Sequence, residues 1–238
     1  MRLNLEEPSV ANVKWAKTHR IIQSRIPPID LFEDIADPAD WDAILSAESK
    51  TNPRIAKSVG MLDLVPHDRR VAGDGASWAM APFTHTSTDR PSRFTDGSFG
   101  VYYAGDSIEV ALFETMHHHG KFMAATSEEL GWVSDFRELI GTLNADFHDI
   151  SDLPQSDPIY DPNDYSLSQT MAGILRAQNS NGIMYRSVRY PDGQAAAIFW
   201  PDIAGITNQG QHFSYYWDGN TVSKVKNLTT GDVFLVVE

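Results

Sequence analysis

Apolar and polar positions change rhythm near residue 75. Residues 1–75 are charged and broken by prolines, and their spacing predicts helices. A stretch around 20–25 must stop before Pro27-Pro28, and a short amphipathic piece follows at 29–35. Asp37-Pro38-Ala39-Asp40 reads as a turn or cap opening a helix over 41–50. Gly73-Asp74-Gly75 marks the boundary between a 1–75 helical extension, packed on the core, and a second region at 76–238. There the pattern favours strands. Residues 77–84 predict one, with Pro82 at a bend, and Phe99-Gly100-Val101-Tyr102-Tyr103-Ala104 predicts another. Asp106, with Glu109 three residues on, reads as a capping box opening a helix over about 107–119. Residues 132–143 predict a strand, the proline- and aspartate-rich 151–166 a surface loop, and 169–178 a helix. Strands follow at 182–185 and 195–200 around the Pro191-Asp192-Gly193 turn, then at 213–217, 221–226 and 233–237. The sum is an α+β protein with a mixed and antiparallel β core and flanking helices.

Composition narrows the classes of function. A chain of 238 residues, 42% hydrophobic and 11% aromatic, buries a substantial core in one to two domains. Nineteen Lys and Arg against 32 Asp and Glu leave a net charge of −13. That argues against nucleic acid or an anionic membrane as direct partners, because phosphate affinity comes from basic patches. The absence of cysteine excludes disulfides, Cys-ligated zinc, iron–sulfur clusters and a thiol nucleophile. It fits a cytoplasmic protein. So does the start, MRLNLEEPSV, which lacks the apolar core of a signal peptide. No apolar run approaches the roughly 18–20 residues that cross a bilayer.

The common nucleotide and hydrolase motifs are missing: there is no P-loop, no dinucleotide glycine fingerprint and no G-x-S-x-G elbow. His117-His118-His119 invites a metal reading. Successive helical residues, however, point roughly 100° apart and cannot share one tetrahedral ion. Imidazoles favoured at a helix C-terminus are the simpler account. What remains is an ordered set. Arg93 stands just before a turn, Tyr103 ten residues on near a strand end, and Glu114 eleven further inside the next helix. Later come Tyr185-Arg186-Ser187-Val188-Arg189 and an alanine-rich strand ending in Phe199. Spacing alone also allows ordinary roles: Arg93 on a surface carboxylate, Tyr103 in the core, Glu114 on a solvated helix face. Glu114 fits that account poorly, with Phe113 and Met116 as neighbours.

The ordered set resembles the RES domain, the toxin half of a bacterial toxin–antitoxin system, over about residues 78–202. Residues 20–33 and 51–54 are similar to its longer members. The Arg, Glu and Ser that give the family its name match Arg93, Glu114 and Ser187. The resemblance implies an ADP-ribosyltransferase fold of the diphtheria-toxin type, with NAD⁺ as substrate and no metal. The nicotinamide–ribose bond would break, and ADP-ribose would pass to water or to a protein target. Glu114 would stabilise the oxocarbenium-like state. Arg93 would grip the pyrophosphate through its bidentate guanidinium, and Tyr103 would stack on the nicotinamide. Ser187 would hydrogen-bond the ligand or orient Glu114, and Tyr102 would face the opposite side of the strand, into the core. Many members carry a further Arg on the first strand of the domain. Residues 81–85 hold none, and His85 takes its place in the ligand site. The implied partner is a helix-turn-helix antitoxin that blocks the active site. Two other classes stay open: a non-catalytic nucleotide- or protein-binding module of the same fold, supported by the missing arginine, and a metal hydrolase built on the histidine run.

Overall fold

The computed structural model describes residues 7–34 and 36–236, so expectations touching residues 1–6, 35 and 237 lie outside it at those positions. Eight strands are formed among the described residues: β1 (Val10–Gln23), β2 (Tyr102–Gly105), β3 (Gly131–Asp149), β4 (Gly182–Arg186), β5 (Gln194–Ile198), β6 (Asn208–Trp217), β7 (Val222–Asn227) and β8 (Val233–Leu235). Seven α-helices accompany them: α1 (Asp30–Glu33), α2 (Trp41–Glu48), α3 (Arg54–Val59), α4 (Ala76–Thr84), α5 (Ile108–Ala124), α6 (Ser166–Ala177) and α7 (Pro201–Ala204). The strand order is β1-β2-β5-β4-β3-β6-β7-β8, and β1 also pairs with β3. Five strands therefore close on one another, and β6–β8 extend from β3 as an antiparallel wing. The β3–β4 pairing is parallel and the others are antiparallel. The mixed core with flanking helices matches the α+β expectation.

Two segments differ from the sequence reading. Residues 10–23 are a strand, not helix, and run along β3 from Val10 opposite His148 to Gln23 opposite Phe136. A bulge between Trp15 and Thr18 inserts one residue and shifts the phase of alternation midway, which hides the period of two. Residues 77–84 lie in helix α4, not a strand. Ala76, Ala79, Met80 and Phe83 are buried at helical spacing. The cap comes from far away: the Glu33 carboxylate accepts from the N–H groups of Gly75 (2.6 Å) and Ser77 (2.9 Å). Helix α5 is capped by Ser107, whose hydroxyl accepts from the Val110 N–H at 3.4 Å. Asp106 instead accepts the Gln194 N–H at 3.0 Å, which ties the start of α5 to β5. The helix continues through a buried Gly120 to Ala124.

Three apolar clusters hold this frame. Phe32 and Trp41, with ring centroids 5.1 Å apart, join Met80, Tyr102 and Phe147 beneath α1, α2 and α4. Met171, Leu175, Ile183 and Phe199 pack α6 on β4 and β5. Ala111 and Met116 seat α5 on Ile21, Phe136 and Phe213. Burying each large side chain contributes about 1.5–3 kcal/mol. Gly100 brings α4 against the approach to β2, since a Cβ there would lie 2.2 Å from the Pro82 carbonyl oxygen. No helix among the described residues is long and apolar enough to cross a membrane.

Candidate active site

Helix α5 and strands β1 and β2 converge on a cleft of about 220 Å³. Glu114 projects from α5 into it with 26% of its side chain exposed. The Ser187 hydroxyl donates to Glu114 Oε1 at 2.7 Å. Ser187 is itself 0% exposed, and its Oγ accepts from the N–H groups of Arg189 (3.2 Å) and Tyr190 (3.0 Å). With its lone pairs engaged, its single proton is directed at the carboxylate. So enclosed a hydroxyl cannot reach a substrate as a nucleophile; it fixes Glu114. His118, one turn along α5, has Nε2 4.0 Å from Glu114 Oε2.

Tyr103 lines the cleft from β2. Its hydroxyl accepts from the Phe94 N–H at 3.0 Å and shares a 2.7 Å hydrogen bond with Ser92 Oγ. Burial pushes its pKa up to about 12, so it stays a neutral phenol. Tyr102 faces the other way and is buried. Arg93 Nη1 donates to the carbonyl oxygens of Ile159 and Asp161, each at 3.1 Å, and its guanidinium lies 4.6 Å from the Tyr165 ring centroid. One edge of Arg93 thus pins the 158–165 segment against the cleft. No carboxylate among the described residues forms an ion pair with it.

His85 is not brought here. It ends α4, where its Nε2 donates to the Ser58 carbonyl at 2.9 Å, and it is absent from the cleft lining. The first strand, β1, does carry an arginine that lines the cleft, Arg20. Its Nη1 donates to the Tyr103 carbonyl at 3.0 Å, its guanidinium lies 4.5 Å over the Tyr102 ring, and its buried Nε has no hydrogen-bond partner among the described residues. Burial lowers its pKa, and no carboxylate among the described residues offsets its charge. A guanidinium so placed is suited to an incoming anion. Sequence reasoning also left out His19, Tyr165 and Arg189, which line the cleft. The β-branched residues around His19-Arg20 (Thr18, Ile21 and Ile22) were the available strand signal. The three successive histidines diverge: His118 lines the cleft, while His119 Nε2 bonds Ser134 Oγ at 2.7 Å and the buried His117 Nε2 has no hydrogen-bond partner among the described residues.

The sequence model of the family described as RES domain matches residues 68–218. That span includes Arg93, Tyr103, Glu114 and Ser187 and leaves β1 outside. Among curated proteins the chain is 28% identical over 207 residues to the uncharacterized protein y4oC of Sinorhizobium fredii (strain NBRC 101917 / NGR234), covering 86% of this chain and 84% of that protein. Among solved structures it is similar to the crystal structure of the M. tuberculosis MbcT–MbcA toxin–antitoxin complex, with a TM-score of 0.44, 10% identity and 86% of each chain covered.

Proposed function

The chain belongs to the RES domain family, and from that premise we propose that it is the toxin half of a bacterial toxin–antitoxin pair. It would act in the cytoplasm by cleaving NAD⁺ at the nicotinamide–ribose bond. One observation carries the reading: the Glu114 carboxylate is fixed by Ser187 in a cleft also lined by Arg20, Arg93 and Arg189. In a chain of net charge −13, three arginines converging on one opening make a local anion site. NAD⁺ matches both signs. Its pyrophosphate suits the guanidinium forks of Arg93 and Arg20. Its ribose becomes cationic as nicotinamide leaves, and an oriented carboxylate stabilises that charge. Tyr103 supplies an aromatic surface for the nicotinamide ring.

ADP-ribose then passes to water or to a protein side chain. The segment pinned by Arg93, with Tyr165, borders the cleft and would influence that choice. A helix-turn-helix antitoxin would close the same opening, and the chain's net charge of −13 suits a basic partner. The non-catalytic reading drew on the arginine missing from residues 81–85; Arg20, which lines the cleft from β1, supports the catalytic reading over it. The test is free nicotinamide released from NAD⁺ by the purified chain, with and without bacterial protein extract. Glu114→Ala should cut release by about 10²–10³-fold. A folded Glu114→Ala protein that releases nicotinamide at the wild-type rate would refute the assignment.

A further inference from the structure

We infer that His19 and Glu138 form a proton-handling pair in the cleft, with His19 taking the proton of the group that receives ADP-ribose and Glu138 positioning its ring. The inference rests on the NAD⁺-cleaving reading and goes beyond it. Glu138, on β3, is 1% exposed. Burying a carboxylate is costly unless its surroundings satisfy it. Here they do. Oε1 accepts from His19 Nδ1 at 2.6 Å, and Oε2 accepts from the Gln211 N–H at 3.0 Å. Gly210 makes the space, since a Cβ there would lie 2.4 Å from Oε2. Burial alone would raise the pKa of Glu138, but the His19 and Gln211 hydrogen bonds hold it below the ordinary carboxylate value.

An ionised Glu138 only accepts, so the proton between the pair belongs to His19 Nδ1. The lone pair of the neutral ring is then on Nε2. That atom has no hydrogen-bond partner among the described residues. The side chain is 15% exposed and lines the same cleft as Glu114. The pairing of β1 with β3, with Ile21 opposite Glu138, holds both members on rigid strands. A carboxylate that fixes the tautomer of a histidine and balances the imidazolium is a general device for proton transfer. Glu114 is poorly suited to the same task. It already receives the Ser187 proton, and it must stay ionised opposite the developing ribose cation.

The oxygen of the acceptor, water or a hydroxyl side chain, bonds to ribose C1′ while the C1′–nicotinamide bond breaks. The bonding pair leaves with nicotinamide, which becomes neutral. The acceptor's proton passes to His19 Nε2 and from there to solvent.

The test uses the full chain and nicotinamide release from NAD⁺. His19→Gln keeps a donor for Glu138 but cannot take a proton. Glu138→Gln retains an oxygen for the Gln211 N–H and therefore turns its NH₂ toward Nδ1, which moves the ring proton to Nε2. Both variants should lower kcat by about 10²-fold with KM for NAD⁺ within about twofold. Added imidazole should restore part of the rate of His19→Ala. An unchanged kcat in His19→Gln, or a loss confined to KM, would overturn the inference. Thermal unfolding checks each variant, and His19→Gln decides alone if Glu138→Gln does not fold. Wild-type release that Glu114→Ala abolishes and His19→Gln leaves intact sinks this inference only. No release by the wild type, with or without bacterial protein extract, sinks the NAD⁺ reading with it.

Discussion

At the residue scale, Ser187 links three parts of the cleft: it donates to Glu114 and accepts the N–H groups of Arg189 and Tyr190. Ser187→Ala would leave those two donors without their acceptor and free the carboxylate to rotate. We expect it to cost about 1–3 kcal/mol of stability by denaturant titration. Nicotinamide release should fall at the same time. Wild-type activity in a destabilised Ser187→Ala protein would separate the hydroxyl from catalysis. Arg93, Tyr103, Glu114 and Ser187 were all legible as an ordered set of residue types; the first three line one cleft, and Ser187 bonds Glu114 from behind it. Arg20 and His19 were not, because their strand was read as helix. His85 entered the reading only as a substitute for a missing arginine, and its ring bonds the Ser58 carbonyl away from the cleft.

At the scale of elements, the misread segments share a cause: what defines them is distant in sequence. In β1 a bulge breaks the alternation, and the pairing that makes it a strand comes from β3, more than a hundred residues away. In α4, proline and aromatic residues argue locally for an extended chain. The burial of one helical face and a cap from Glu33 reverse that preference. Glu33→Ala should therefore destabilise the fold by about 0.5–2 kcal/mol, read as a lower denaturant midpoint. An unchanged midpoint would mean that the α4 donors find another partner at no cost. The later strands and helices α5 and α6 were legible because their residue types and bounding turns signal them locally.

At the scale of the molecule, sheet closure determines which residues meet. Strand β1 pairs with both β2 and β3, and so carries His19 and Arg20 to the cleft formed by residues from 92 to 195. Composition gave the sign of the whole surface, but the convergence of three arginines depends on that closure. On the proposed function, this opening holds NAD⁺ with its scissile bond at Glu114. The most direct measurement is a crystal structure of the Glu114→Ala variant with NAD⁺ bound. The pyrophosphate should lie against Arg20 and Arg93, with ribose C1′ facing residue 114 and the nicotinamide beside Tyr103. NAD⁺ bound at another surface, or a folded variant whose cleft stays empty at saturating NAD⁺, would contradict it.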